Sequence, residues 1–241
     1  MWRLYENRLP CYDPWRKRKG KDQRYHVQRL WSMSKLLQIW CNQNFREVNL
    51  TMTKNIMIVG VGGQGTLLTS RIIGKAAIAE GFDVKISEVH GMAQRGGSVV
   101  TFVRYGEEVH EPIVEEGQAD LIISFERLEA KRYAHFLKKD GIIVVNDCRI
   151  DPMTVVVGAK EYPENIIEDL KKTHTVYAID GQKIALELGN SKVLNSVVLG
   201  YAASSIGFDA EKWIEAISST VPPKTVEINN QAFLAGYNAK R

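Results

Sequence analysis

Residues 55–66 read N-I-M-I-V-G-V-G-G-Q-G-T, an apolar run that breaks into glycines and then opens a helix. The run Asn55 to Gly60 is a strand without polar alternation, as a sheet covered on both faces requires. From Thr66 to Glu80 the apolar residues Leu67, Ile72, Ile73, Ala76 and Ile78 recur near a 3.6-residue period, and Gly81 closes the helix. Between strand and helix, Gly60, Gly62 and Gly65 satisfy G-x-G-x-x-G. Glycines permit a tight turn and close backbone approach, and the free N–H groups of the helix start point at whatever sits there. Gly63, the Gln64 amide and the Thr66 hydroxyl complete a candidate site for phosphate or another polar group. Glu88 stands 23 residues after Gly65, where a dinucleotide fold places its ribose-binding acid. The competing reading is purely structural: the glycines serve only a tight strand-to-helix turn. On this motif alone both stay open.

Beyond this stretch, Asp83 to Val89, Ser98 to Tyr105, Ala119 to Ser124, Gly141 to Asn146 and His174 to Ile179 read as further strands. A charged helix is expected from Glu126 to Lys139. Helices near 181–189, 192–206, 209–219 and 224–238 follow, with Pro222-Pro223 breaking the last pair. Such alternation predicts an α/β three-layer sandwich whose sheet is largely parallel and Rossmann-like at its start. The Ser98 strand lies one short loop after its predecessor, so a mixed sheet is the variant to test. Residues 52–241 make one domain on this reading.

The loop after the second strand reads H-G-M-A-Q-R-G-G-S over residues 90–98. Its glycine pair lets Arg95 and Ser98 approach a partner backbone, and a guanidinium holds a carboxylate or phosphate bidentately. An internal salt bridge is the alternative for Arg95. With parallel strands, both loops lie at the carboxyl edge of the sheet, where open α/β folds bind ligands. Met92, Gln94, Arg95, Gly96, Gly97 and Ser98 therefore join Gly60, Gly62, Gly63, Gln64, Gly65 and Thr66 as candidate binding residues.

The chain has 241 residues and a formal net charge of +4. Residues 1–51 hold 11 Lys/Arg and 4 Asp/Glu; the remaining residues hold 21 and 24. The sequence pI of 8.8 thus belongs to the first segment, and the slightly acidic remainder gives no argument for nucleic-acid binding. That segment carries Trp2, Trp15, Trp31, Trp40 and the run Arg16 to Lys19. It reads as a disordered extension, or as sequence ahead of a natural start at Met52. A nucleic-acid or membrane-surface tail and a partner-docking arm are the sharper alternatives. No signal-peptide pattern and no membrane-spanning apolar run is present. The three cysteines, Cys11, Cys41 and Cys148, include no C-x-x-C, which excludes a Cys-rich zinc site or an iron–sulfur cluster held by this chain alone. That usage fits a reducing, cytoplasmic setting. His90, His110, His135 and His174 lack helical ligand spacing and read as surface or packing residues, and Cys148 as a buried cysteine. No catalytic residue and no metal ligand is assigned.

G-V-G-G-Q-G at 60–65 together with G-M-A-Q-R-G-G-S at 91–98 resembles the gamma-type subunits of 2-oxoacid:ferredoxin oxidoreductases. Within that family the likeness is to the free-standing small subunits of the indolepyruvate type, and it spans residue 52 to about 241. The resemblance implies an assembly that decarboxylates a 2-oxoacid on thiamine diphosphate, passes electrons through [4Fe–4S] clusters to ferredoxin, and yields an acyl-CoA. It implies that a large alpha subunit carries thiamine diphosphate and clusters. The gamma-type chain then completes the assembly and contributes to coenzyme A binding. The sequence agrees with a subunit that holds none of the electron-transfer cofactors. It lacks cluster cysteines and the G-D-G segment followed by N-N that marks thiamine diphosphate sites in the family. Asp180-Gly181 has no preceding glycine, and Asn229-Asn230 falls in an expected helix. The first 51 residues depart from the family pattern. Two other classes remain in contention: a stand-alone NAD(P)- or flavin-binding oxidoreductase domain, and a non-enzymatic module acting through the basic arm.

Overall fold

A computed structural model of the chain describes residues 53–91 and 96–239. The expectations for the basic segment 1–51, and for Met92, Gln94 and Arg95, lie outside those residues. The first strand, β1 (Lys54–Val61), leads through the glycine turn into α1 (Thr66–Ala79), as its pattern predicts. Then come β2 (Asp83–His90), β3 (Ser98–Gly106) and β4 (Ala119–Ser124). The second half contains α2 (Arg127–Tyr133), β5 (Leu137–Asn146), α3 (Met153–Val156), α4 (Ile166–Lys171) and β6 (Thr175–Ile179). It closes with α5 (Gly181–Glu187), α6 (Leu194–Ile206), α7 (Ala210–Ser218) and α8 (Val226–Tyr237).

The six strands form one sheet in the order β2-β3-β1-β4-β5-β6. The pairs β1–β4, β4–β5 and β5–β6 are parallel, whereas β3 runs antiparallel to both β1 and β2. The sheet is therefore mixed. Because β3 occupies the slot beside β1, the β1–α1–β2 segment is not the neighbouring parallel pair of a dinucleotide fold. Glu88 sits on the outer strand, one strand farther from the glycine turn than that fold would place it.

Alternation along the strands divides the core. Ile56, Ile58, Val103, Tyr105, Ile123 and Val144 point to one face, against α1 and α5 to α8. Met57, Val59, Val100, Phe102, Ile122 and Val145 point to the other, against α2 and α4. The three layers follow from burying both faces. On the first face α6 and α8 touch backbone to backbone. A Cβ on Gly200 would stand 2.0 Å from the Phe233 carbonyl oxygen, and one on Gly236 would stand 1.9 Å from that of Val197.

One expectation fails in extent. The charged helix ends at Tyr133 rather than Lys139, passes through a single 3-10 turn, and Leu137 already begins β5. Leu137 pairs with Ala119 of β4 and is buried, and Lys138 forms an ion pair with Asp120 of that strand. Tertiary pairing outweighs the helix propensity of the two lysines.

Candidate functional site at the carboxyl edge

Strands β1 and β2 are both antiparallel to β3, so they run in the same sense as β4, β5 and β6. The ends of those five strands and the start of β3 share one edge, which brings the two glycine loops together. The Gly62 N–H donates to the Gly97 carbonyl at 2.8 Å, and the Gly96 N–H reaches the Gly62 carbonyl at 3.5 Å. These bonds carry the β1–β3 ladder one step past the Val61–Ser98 pair. The turn after Val61 and the Gly96 to Ser98 segment are thus joined side by side.

Helix α1 covers one face of the sheet and α2 the other, so the crevice between the ends of β1 and β4 is the topological switch point. Gln64 spans it. Its Oε1 accepts from the Val61 N–H at 2.7 Å, and its Nε2 donates to the Phe125 carbonyl at 3.0 Å. Gly60 makes room for this amide: a Cβ there would lie 2.8 Å from Oε1. Asn146 extends the line, donating to the Phe125 carbonyl at 3.2 Å and accepting from the Gly181 N–H at 2.9 Å. Gly65, at φ +87°, packs on Asn195, and Thr66 is buried in the first helical turn. The Gln64 amide is therefore already engaged by the protein. The start of α1 carries no side-chain cap, which leaves backbone N–H groups and the positive end of the helix dipole to face an anion.

Beside this surface lies a polar turn that sequence reasoning missed. Glu126 and Glu129 are buried. One Glu126 oxygen caps α2 through the Glu129 N–H at 2.9 Å; the other accepts from the Tyr162 hydroxyl at 2.5 Å and from the Ile150 N–H at 3.3 Å. Glu129 accepts from the Ser98 hydroxyl and from Arg132 Nε at 3.2 Å. Burial holds the Glu129 carboxyl above the usual carboxylate range and nearby Glu126 adds to this, while the Ser98 bond and Arg132 oppose it. Burial, then the bond to Glu126, also raises the Tyr162 phenol. Nothing in E-R-L-E-A-K-R separates an inward glutamate from an outward one, because only the packing of α2 on the sheet decides it.

Past the end of β5 is a cleft of about 340 Å³ lined in part by Arg127, Asp147, Arg149, Tyr162 and Glu164. Arg127 pairs with Asp147, and the Arg149 guanidinium lies 4.4 Å from the Tyr162 ring centroid. Cys148 is half-buried, and burial followed by Glu126 pushes its thiol up, away from the thiolate a nucleophile needs. His90, His110 and His135 are exposed and His174 half-buried. Among the described residues no group of three His, Cys, Asp or Glu side chains is placed to hold a metal ion. That donor set does not fit an iron–sulfur cluster or the metal-bound diphosphate of thiamine.

The chain is 42% identical over 195 residues to the indolepyruvate oxidoreductase subunit IorB of Thermococcus kodakarensis, covering 78% of this chain and 96% of that protein. Against the IorB subunit of Archaeoglobus fulgidus the identity is 44% over 192 residues, covering 78% and 95%. The solved gamma subunit of a keto/oxoacid ferredoxin oxidoreductase from Geobacter sulfurreducens aligns with a TM-score of 0.57 at 26% identity, covering 76% of this chain and 96% of that one. The family described as pyruvate ferredoxin/flavodoxin oxidoreductase matches residues 55–239, the span that carries both glycine loops, all of the sheet but Lys54 and every helix described above. This chain belongs to that family.

Proposed function

We propose that the chain is the small subunit of an indolepyruvate-type 2-oxoacid ferredoxin oxidoreductase, supporting oxidative decarboxylation of an aryl pyruvate to its acyl-CoA with reduction of ferredoxin. The observation that carries this is 42% identity across 96% of the length of an indolepyruvate oxidoreductase subunit. Thiamine diphosphate and the [4Fe–4S] clusters reside in a large alpha subunit. The assembly works in the cytoplasm. What this chain contributes is its carboxyl edge. Backbone N–H groups at Gly63, Gly65 and the start of α1 face a phosphate of coenzyme A, and the Gly96 to Ser98 segment braces them. Arg95, with Met92 and Gln94, belongs to the same loop and supplies a guanidinium for coenzyme A or for a carboxylate of the large subunit. The reading as a stand-alone dinucleotide-binding domain loses support, because β3 separates β2 from β1 and Gln64 fills the switch point.

Anaerobic purification of the tagged full-length chain from its native host tests the proposal. A large partner should co-purify with iron and thiamine diphosphate. The complex, and not the small chain alone, should reduce ferredoxin when given indolepyruvate and coenzyme A. Recovery of the chain alone with bound NAD(P) or flavin would overturn the assignment.

A further inference from the structure

Glu129 is a buried carboxylate with no part in the function proposed above. It is 4% exposed, one turn into α2, with one oxygen on the Ser98 hydroxyl and the other on Arg132 Nε. The Tyr133 hydroxyl lies 3.2 Å from the same Ser98 oxygen. Ser98 is the first residue of β3, directly across from Val61, and Gly96 and Gly97 just before it hold Gly62. The glycines bring only backbone to this pairing, and a Cβ added at Gly96 would meet nothing within 4 Å. Gln64 anchors the first loop through Val61 and Phe125; the side-chain anchor of the second is Ser98, whose hydroxyl is held from α2. A carboxylate only accepts hydrogen bonds, so it makes a donor of the Ser98 hydroxyl, whereas a glutamine amide also donates and leaves that direction open; Arg132 donates in either case.

We propose that Glu129 is a positioning residue: by clamping Ser98 to α2 it fixes Gly96 and Gly97 on Gly62, and so sets the geometry of both glycine loops. The clamp is a property of this chain alone; its effect on coenzyme A rests on the function proposed above.

Amide hydrogen exchange on the full chain tests the clamp. Ser98→Ala and Glu129→Ala should each speed exchange of the Gly62 N–H by about tenfold or more while central β4 amides stay protected. The double variant should be no faster than the worse single one, because both remove the same contact. Glu129→Gln should recover part of the protection. Should Glu129→Ala fold poorly, Ser98→Ala, which removes a single oxygen, answers the question alone. In the holoenzyme the same two variants should raise KM for coenzyme A about tenfold and leave kcat within about twofold. Unchanged Gly62 exchange in Ser98→Ala overturns the clamp. Faster Gly62 exchange with unchanged KM leaves the clamp standing and overturns its tie to coenzyme A.

Discussion

The two faces of the sheet are packed by different means. One is covered by five helices through apolar side chains, with a buried neutral bond from Ser196 to Asn229 and, at Gly200 and Gly236, bare backbone. The other is covered by two short helices and contains two buried carboxylates within one turn of α2. Packing like that of the first face leaves no slack, since interiors at crystal-like density do not absorb an added atom. The second face trades apolar burial for oriented hydrogen bonds, which stabilise little in net terms but penalise any other arrangement. The first face is thus a scaffold, and the second sets where the loop residues sit.

The sharpest way to break this contrast is Gly236→Ala. The new Cβ meets the Val197 carbonyl oxygen at 1.9 Å, so α6 and α8 must part along their whole contact. A loss of about 4 kcal/mol or more is expected, lowering Tm by roughly 8–16 °C in a thermal melt. Glu126→Ala strikes the second face. It leaves the Glu129 N–H, the Ile150 N–H and the Tyr162 hydroxyl without their acceptor, so about 3 kcal/mol should be lost by urea titration. A Glu126→Ala penalty equal to that of Gly236→Ala would erase the distinction between the faces. Gln64→Ala comes next, at about 1–2 kcal/mol by the same titration. It orphans the Val61 N–H, while the Phe125 carbonyl keeps Asn146.

The smallest effect is a pH dependence. Burial raises the folded-state Glu129 pKa, so ionising this group opposes folding. Its contribution to stability is fully present below the unfolded carboxyl range, near about pH 4.3, and is lost as pH rises through the folded value. Glu129→Gln has no such loss. Its melting temperature relative to wild type should therefore climb as pH rises through that window. A gap that stays flat or narrows with pH would show that Ser98 and Arg132 more than offset the burial of the charge.

The unequal packing also explains what the sequence made legible. β1, the glycine turn and α1 are readable because three local signals agree: an apolar run, glycines at the break and a 3.6-residue period. The placement of β3 between β1 and β2 has no local signal, since periodicity reports which side a residue faces and not which strand lies beside it. Lys138 and Lys139 favour a helix by propensity, yet they lie in β5 because Leu137 pairs with Ala119 and Asp120 awaits Lys138. At the site, the nearness of the two glycine loops was legible from their place at strand ends, but the bonding of Gly62 to Gly96 and Gly97 was not, because it depends on β3 lying beside β1. The inward turn of Gln64 was not, because a glutamine at a helix start reads equally as a ligand contact or as a brace. Glu126 and Glu129 were hidden among charged residues that look solvated.

The insertion of β3 beside β1 also governs how the chain is assembled during synthesis. Residues 54–106, which hold three strands that pair with one another and α1, all precede β4 in the chain and so leave the ribosome before it. Through that interval β1, apolar on both faces, is an edge strand with its second row of backbone hydrogen-bonding groups open. An apolar open edge is a template for pairing with another chain. Only β4, aligning Leu121 to Ser124 against Ile56 to Val59, closes it. The interval between the emergence of Gly106 and that of Ser124 is accordingly when the nascent chain most needs shielding.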